Sequence, residues 1–268
     1  MKKLVKYLLV LLFFASCTPQ KYYQLVETDS NDLVKTRDSQ TFENNDIIVS
    51  YNLWSNKGNG TFVITNKTDK DIFLDLKRSH LIINDYALTY FQNRVYSTPK
   101  VSFFSSSTDE ELMEQRKIRF PGITPKRITD ESIDVVIFNE ERIVCVPPNS
   151  SQIVYGFNLQ SEIYRDCNLQ RFPKQKEITS SEFTKESSPY IFRNRLTYSF
   201  SESMEELKQI ENEFWVTKVT NLPENQFVSS DYIKFCNDSS SNKMRTYPYS
   251  NQASYFIEYR LEPGRINH

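Results

Sequence analysis

The chain has 268 residues, with 33 Lys and Arg against 34 Asp and Glu, so its formal charge is −1. Charges of both signs are interspersed and no basic block occurs, so we expect no nucleic-acid partner. Glycine is scarce, at five residues, and no glycine-rich phosphate-binding motif is present, so we expect no cofactor.

The first 16 residues have the parts of an export signal. Three lysines fall within the first six residues, and residues 8–14 are all apolar. As a helix, the uncharged run 7–16 would reach roughly 15 Å, well short of the ~30 Å hydrocarbon core of a bilayer. Residues 1–16 therefore predict a signal segment and not a membrane span.

The segment ends on Cys17, which stands where an ordinary signal would be cut. Phe14-Ala15-Ser16-Cys17 resembles the lipobox of bacterial lipoproteins, whose cysteine is lipidated and becomes the mature N-terminus. The resemblance implies a membrane anchor through lipid at Cys17; an ordinary cleaved signal and an uncleaved anchor are the alternatives. In bacterial lipoproteins an Asp directly after the cysteine signals retention in the inner membrane, and this chain has Thr18 there. The resemblance therefore favours an outer-membrane lipoprotein facing the periplasm. Surface exposure stays open.

The segment that follows, 17–45, is polar and poor in aliphatic residues. We interpret it as the lipidated cysteine and a flexible leader, which would span roughly 30 Å as a random coil.

From residue 46 the sequence changes to short β-rich runs separated by turn residues. Such strands at roughly 8–12-residue spacing are typical of an antiparallel sandwich. A serine run and Thr108-x-x-Glu111 predict a long connection with a short helix over 97–132. The predicted strands are 46–54, 61–66, 72–76, 80–84, 87–91, 133–138, 143–146 and 152–157.

Two stretches carry a resemblance to immunoglobulin-like bacterial domains. Residues 62–72 resemble a strand that ends in Asn and turns through Lys, Thr and Asp into a second strand. Residues 146–153, with Pro147-Pro148, resemble the entry to a later strand. The whole chain resembles Gram-negative bacterial lipoproteins with such a sandwich, from which no activity can be carried over. The resemblance implies an immunoglobulin-like β-sandwich over 46–160, with short helices in its connections.

Residues 161–268 form a C-terminal β-rich extension in this interpretation. Ser203-x-x-Glu206 is a capping box, and Leu207, Ile210 and Phe214 share one helical face, so a short helix is predicted over 203–213. Whether this extension is a separate domain or continues the sandwich stays open.

Three cysteines remain beyond Cys17. Cys145 lies in an apolar run and is interpreted as a core residue. Cys167 and Cys236 are candidates for a disulfide, as expected of an oxidising compartment.

Several aromatic residues are candidates for stacking on a ligand such as a sugar: Tyr51, Trp54, Tyr247 and Tyr249. Aromatic side chains are also favoured in strands and cores, which is the alternative for each of them. The loop from Asn66 to Asp71 has the composition of a calcium site but no EF-hand spacing, so a plain turn is favoured. His80 has no nucleophile motif beside it, and no metal site is predicted.

These features predict a lipid-anchored cell-envelope protein that acts as a non-catalytic structural or protein-interaction module. Its expected partners are the membrane, through the lipid, and an envelope protein or a glycan. The first alternative is a carbohydrate- or ligand-binding envelope lipoprotein. A hydrolase with a carboxylate pair is the second, because such pairs meet in space and not in sequence.

Overall fold

The computed structural model describes residues 20–36, 38–100, 134–233 and 242–261. The protein is mainly β, with antiparallel sheets and almost no helix, so the predicted class is confirmed at this level. One sheet is strongly curled into a half-barrel. In the described ranges, helix is limited to α1 (Glu224–Phe227) and a 3₁₀ turn at Gln175–Glu177. No helix among them is long and apolar enough to cross a bilayer.

The strands follow the predicted runs closely from residue 46 to residue 91. In chain order they are β1 (Lys21–Asp29), β2 (Val34–Lys35), β3 (Gln40–Glu43), β4 (Ile47–Tyr51), β5 (Phe62–Asn66), β6 (Ile72–Asp75), β7 (His80–Ile83), β8 (Tyr86–Thr89) and β9 (Val95–Lys100). They continue with β10 (Asp134–Asn139), β11 (Ile143–Val146), β12 (Ser151–Val154), β13 (Ser180–Glu182), β14 (Ile191–Ser199), β15 (Lys208–Pro223), β16 (Ser229–Ile233), β17 (Asn242–Thr246) and β18 (Ser254–Arg260).

The chain forms two compact units. One is the segment Phe91–Arg142, in which β9 and β10 pair antiparallel. Its Glu140 carboxylate accepts hydrogen bonds from the Arg94 guanidinium at 2.9 Å and from the backbone N–H of Gln92 at 2.7 Å. The helix predicted within 97–132 lies outside the described residues.

The other unit contains the described residues up to Tyr90 and from Ile143 onward. Its largest sheet has nine strands in the order β11-β6-β14-β15-β1-β18, with β13 paired to β15 and the β7–β8 hairpin paired to β14. A five-stranded sheet has the order β12-β5-β4-β3-β2, and β16 and β17 form a separate hairpin.

The predicted flexible leader differs from the structure over its described residues. Lys21–Asp29 is β1, which lies between β15 and β18 inside the nine-stranded sheet. Five successive residues, from Tyr22 to Val26, are buried. The segment reads as polar because of residues such as Gln24, yet the Gln24 amide donates to the backbone oxygen of Tyr164 and to Asn221 Oδ1, each at 2.9 Å. Distant partners satisfy this buried side chain, and local composition does not reveal them.

The helix predicted over 203–213 is wrong. From Lys208 onward the chain is β15, which pairs with β14 in a register that sets Ile210 opposite Leu196. Backbone pairing of residues 208–215 with β14 outweighs the local helical pattern. Strands from 46–160 and from 161–268 also hydrogen-bond to each other, since β14 pairs with β6 and β7.

The two large sheets contact each other through the inward-facing residues of the five-stranded sheet. β4 and β5 each alternate buried with half-buried residues. This is the pattern of strands with one face on a core. From β4, Tyr51 reaches across to the Phe214 ring of β15, with 5.0 Å between ring centroids.

Candidate functional site

Three of the four aromatic residues singled out from the sequence meet around Phe227, the last residue of α1. Phe227 is fully buried. Its ring lies 6.0 Å from the Trp54 ring, 5.7 Å from the Tyr247 ring and 6.2 Å from the Tyr249 ring. Tyr23 and Phe256 complete the set, at 4.4 and 5.1 Å. We call these six residues the Phe227 cluster.

Most of the Phe227 cluster is packed inside the protein. Tyr23 is buried, and Trp54, Tyr247 and Phe256 are half-buried. Only Tyr249 is exposed, at 40% of its surface, with its ring nearly parallel to that of Phe227. A sugar-binding platform needs several free ring faces side by side, and the cluster has a single exposed ring, that of Tyr249. The core alternative therefore fits Trp54 and Tyr247 better than stacking on a ligand.

The fourth residue, Tyr51, lies elsewhere and is buried. Its hydroxyl donates to Asn212 Oδ1 at 2.8 Å and accepts a hydrogen bond from Asn194 Nδ2 at 2.7 Å. Tyr90 donates to Asn194 Oδ1 at 2.7 Å, which completes a chain of four side chains that we call the Tyr51 network. Burial raises the pKa of Tyr51 and of Tyr90. Tyr51 is therefore a structural residue, and the stacking role predicted for it is wrong.

An open groove of about 630 Å³ lies beside the Phe227 cluster. Val228 belongs to both, since it packs on the cluster and lines the groove. Three cationic side chains and one carboxylate line it: Lys21, Lys174, Arg245 and Glu224. These residues are far apart in the sequence and none belongs to a motif, so sequence reasoning missed the groove.

The cations of the groove differ in how far they are neutralised. Arg245 pairs with Glu224 at 2.6 Å, and Lys21 pairs with Glu258 at 3.2 Å. Lys174 is 4.0 Å from Glu177, with 86% of its side chain exposed. An exposed ion pair at that distance hardly neutralises the lysine, so Lys174 is the groove cation whose charge is most available to a ligand.

A second surface of interest is the segment from Ile143 to Ser161. It contains no charged residue, whereas a quarter of the whole chain is charged. It holds both β11 and β12, which lie at the ends of their respective sheets. Ile153 and Tyr155 are 50% and 65% exposed. We call this segment the β11–β12 edge.

The opposite end of the five-stranded sheet shows what a protected edge looks like. β2 has only two residues, Val34 and Lys35, and Lys35 pairs with Asp29 at 2.7 Å. Short strands and charged side chains are the usual protection of a sheet edge against pairing with another chain. The β11–β12 edge has four-residue strands with no charge, and among the described strands nothing pairs with the outer side of either, so it is open to such pairing.

The remaining candidates have structural roles or lie outside the described residues. Asn66 holds its loop as a turn: its amide donates to the Lys70 oxygen at 2.7 Å and its Oδ1 accepts from the Thr68 N–H at 2.9 Å. Within residues 20–36, 38–100, 134–233 and 242–261, no three His, Cys, Asp or Glu residues cluster as a metal site would require. His80 pairs with Thr89 and Arg195 in the sheet.

The cysteines are only partly described. Cys145 is exposed on β11, so the core position predicted for it is wrong. β11 pairs only with β6 among the described strands, and its alternation buries Val146 and turns Cys145 outward. Cys167 is exposed as well. Cys17 and Cys236 lie outside the described residues, so lipidation and the Cys167–Cys236 disulfide stay predictions.

Comparison with known proteins adds nothing to this geometry. No protein-family model, no curated protein and no solved structure matches the chain.

Proposed function

We propose that this chain is a lipid-anchored protein of the cell envelope that works by binding a partner protein, without catalysis. Its anchor is Cys17, on the lipobox pattern, and its binding surface is the β11–β12 edge. The partner supplies an extended segment that adds a strand to this edge, so that backbone hydrogen bonds give affinity and side chains give specificity.

The observation that carries the proposal is the combination of exposure and missing charge at β12. Ile153 and Tyr155 present apolar surface to solvent at the end of a sheet. Exposed apolar edge strands promote association with other chains, and proteins without a partner for them usually place a Lys or Pro there. The two prolines of the segment, Pro147 and Pro148, precede β12 and leave its N–H groups intact.

The immunoglobulin-like sandwich belongs to the same proposal. Both stretches that carry the resemblance connect one large sheet with the other: β5 leads into β6, and β11 leads into β12. Consecutive strands that alternate between two packed sheets are typical of such sandwiches. In this interpretation β14, β15, β1 and β18 extend one of the two sheets.

The binding surface can be tested with a photo-crosslinking amino acid placed at Ile153 in the cell that makes the protein. We expect a discrete adduct with one partner in the membrane fraction, identified by mass spectrometry. Val34, which is 69% exposed on the protected edge, is the matched control and should give no adduct. Ile153→Lys in a strain with the crosslinker at Tyr155 should abolish the adduct, whereas Val34→Lys should leave it. An adduct that consists of two copies of this chain, or equal adducts at both edges, would contradict the proposal.

The anchor needs its own experiment. Cys17→Ala should abolish incorporation of a labelled fatty acid and release the protein from the membrane fraction, because the cysteine sulfur carries the lipid. Unchanged labelling and fractionation would remove the lipoprotein part of the proposal while leaving the β11–β12 edge to be judged by crosslinking.

A further inference from the structure

The position of β1 makes the tether to the membrane short. β1 begins at Lys21, and Gln20 already lines the groove. If Cys17 carries the lipid, only Thr18 and Pro19 separate it from Gln20. A fully extended chain gains at most ~3.6 Å per residue, so the three steps from Cys17 to Gln20 span at most about 11 Å. Gln20, on the near side of the groove, then lies within about 11 Å of the anchored cysteine, little more than the Debye length of about 8 Å at physiological salt.

The groove presents positive charge at this distance. Lys21, Lys174 and Arg245 line it together with a single carboxylate, Glu224. Glu258 and Glu177 lie near Lys21 and Lys174, and Arg260 also pairs with Glu258 at 3.4 Å. The four cations outnumber the three carboxylates, in a mature chain whose net charge is negative once the signal lysines are removed. This concentration of cations complements an anionic surface.

The β16–β17 hairpin adds side chains suited to an interface. Ser230 lines the groove opposite Arg245 in the hairpin register. Tyr232 lies two residues further along the same strand, on the same face, and is 72% exposed. Tyrosine is enriched at membrane–water interfaces, where its ring is buried and its hydroxyl stays wet. Apart from the half-buried Thr246, the described side chains of both strands are exposed. A two-stranded hairpin alone is marginally stable in water.

We infer that the groove, with Tyr232 at its rim, docks on the anionic headgroups of the bilayer that holds Cys17. The inference rests on the lipid anchor of the proposed function and adds an orientation to it. Docking would fix the protein on the surface instead of leaving it free to swing on its tether.

The test uses the acylated protein, purified in detergent and reconstituted into two kinds of vesicle. One kind is phosphatidylcholine alone, and the other contains about a third phosphatidylglycerol. Flotation reports attachment, and a membrane-impermeant amine reagent followed by mass spectrometry reports the accessibility of each lysine. Lys77, exposed in the turn after β6, is the internal control. β6 pairs with β14 beside Lys208, at the start of β15, whereas the groove is lined by Pro223 at the other end of β15.

We expect anionic vesicles to reduce labelling of Lys174 about fivefold relative to zwitterionic ones, with high salt restoring it and Lys77 unchanged. Arg245→Glu should restore Lys174 labelling, and Lys77→Glu should not. Flotation with equal Lys174 labelling on both vesicles would overturn docking and leave the anchor intact. Absence of flotation would overturn the anchor and docking together. Protection of Lys174 by inorganic phosphate in detergent, without a bilayer, would also overturn the inference, because it would identify a site for free anions.

Discussion

The Tyr51 network and the Phe227 cluster are both built around buried aromatic side chains, but different interactions hold them together. In the Tyr51 network, each hydroxyl lies 2.7 or 2.8 Å from an asparagine amide, so position is set by hydrogen bonds. In the Phe227 cluster, five rings surround a sixth at 4.4 to 6.2 Å with interplanar angles from 11° to 57°.

The difference shows which part of the fold tolerates change. A buried hydrogen-bonded chain has one satisfied arrangement, and removing one member leaves its partners unpaired in a low-dielectric interior. A set of rings can shift and still bury the same area, so its stability depends on volume more than on exact contacts. The Tyr51 network therefore fixes how the two large sheets pack on each other, whereas the Phe227 cluster fills the core next to the groove.

The largest effect is expected from emptying the Phe227 cluster. Phe227→Ala removes the central ring from a fully buried position and should destabilise the protein by about 3–5 kcal/mol, from lost burial and the cavity left behind. Phe227→Leu keeps most of the volume and should cost clearly less. Denaturant unfolding followed by circular dichroism measures both. Tyr232→Ala, at a 72% exposed position, is the control and should lie within about 0.5 kcal/mol of the parent. Equal losses for Phe227→Ala and the control would show that the cluster is not packed as described.

The next largest effect is expected in the Tyr51 network. Tyr51→Phe keeps the ring but leaves Asn212 Oδ1 and Asn194 Nδ2 without a partner, which should cost about 2–3 kcal/mol. Asn212 Nδ2 has no hydrogen-bond partner among the described residues, so in this variant neither polar atom of the Asn212 side chain would have one.

Tyr90→Phe provides the matched comparison. It removes the hydrogen bond that Asn194 Oδ1 accepts and leaves one buried group of the network unpaired instead of two, so it should cost about half as much as Tyr51→Phe. Combining Tyr51→Phe with Asn212→Leu should recover part of the loss, because the stranded amide disappears with its partner. Losses that simply add in the double variant would argue against a shared network.

This comparison also shows how far sequence reasoning can reach. The short β-rich runs and the turn residues between them predicted β4, β5, β7 and β8 correctly, because a buried strand face and a tight turn are local properties. The sequence did not show that Tyr51 and Trp54 have different surroundings, because both are aromatic residues of the same predicted strand, 46–54. What separates them is the pair Asn194 and Asn212, which lies more than 140 residues later in the chain.

The errors have a common origin in pairing between distant segments. β1 reads as a polar leader until β15 and β18 are placed on either side of it, and the start of β15 reads as a helix until β14 pairs with it. The groove is a further case, because Lys21, Lys174 and Arg245 meet only through these pairings. The uncharged β11–β12 edge was visible in the sequence, but its position at the end of two sheets was not.

A smaller effect is expected on the free energy of unfolding at alkaline pH, where the buried tyrosines of the two regions ionise. Burial, and then the carboxylates of Glu258 and Glu224, raise the pKa of Tyr23 from 10.0 to about 12. A tyrosine with a raised pKa stabilises the folded state below pH 10, and that contribution is lost as the pH rises from about 10 to 12. Unfolding free energy should therefore fall over this range, by at most about 1.4 kcal/mol per pH unit for each such tyrosine.

Tyr23→Phe should flatten this decline with little cost at neutral pH, because the Tyr23 hydroxyl makes only a long hydrogen bond, 3.5 Å to Glu258. Tyr51→Phe should flatten it too, since burial raises the pKa of Tyr51 as well, but at the neutral-pH cost given above. Denaturation at a series of pH values measures both. A decline that keeps its slope in Tyr23→Phe would assign the alkaline sensitivity to other groups.

The smallest effect is expected at Tyr249, the exposed member of the Phe227 cluster. Its ring stacks on Phe227 from the solvent side, so Tyr249→Ala should cost less than about 1 kcal/mol. The same variant tests the glycan alternative, which needs several free ring faces together. With one such face, we expect neither the parent nor Tyr249→Ala to be retarded in gels that contain soluble polysaccharide. Retardation of the parent that disappears in the variant would mean that Trp54 and Tyr247 open outward to meet a sugar. That result would identify the Phe227 cluster, and not the β11–β12 edge, as the binding surface.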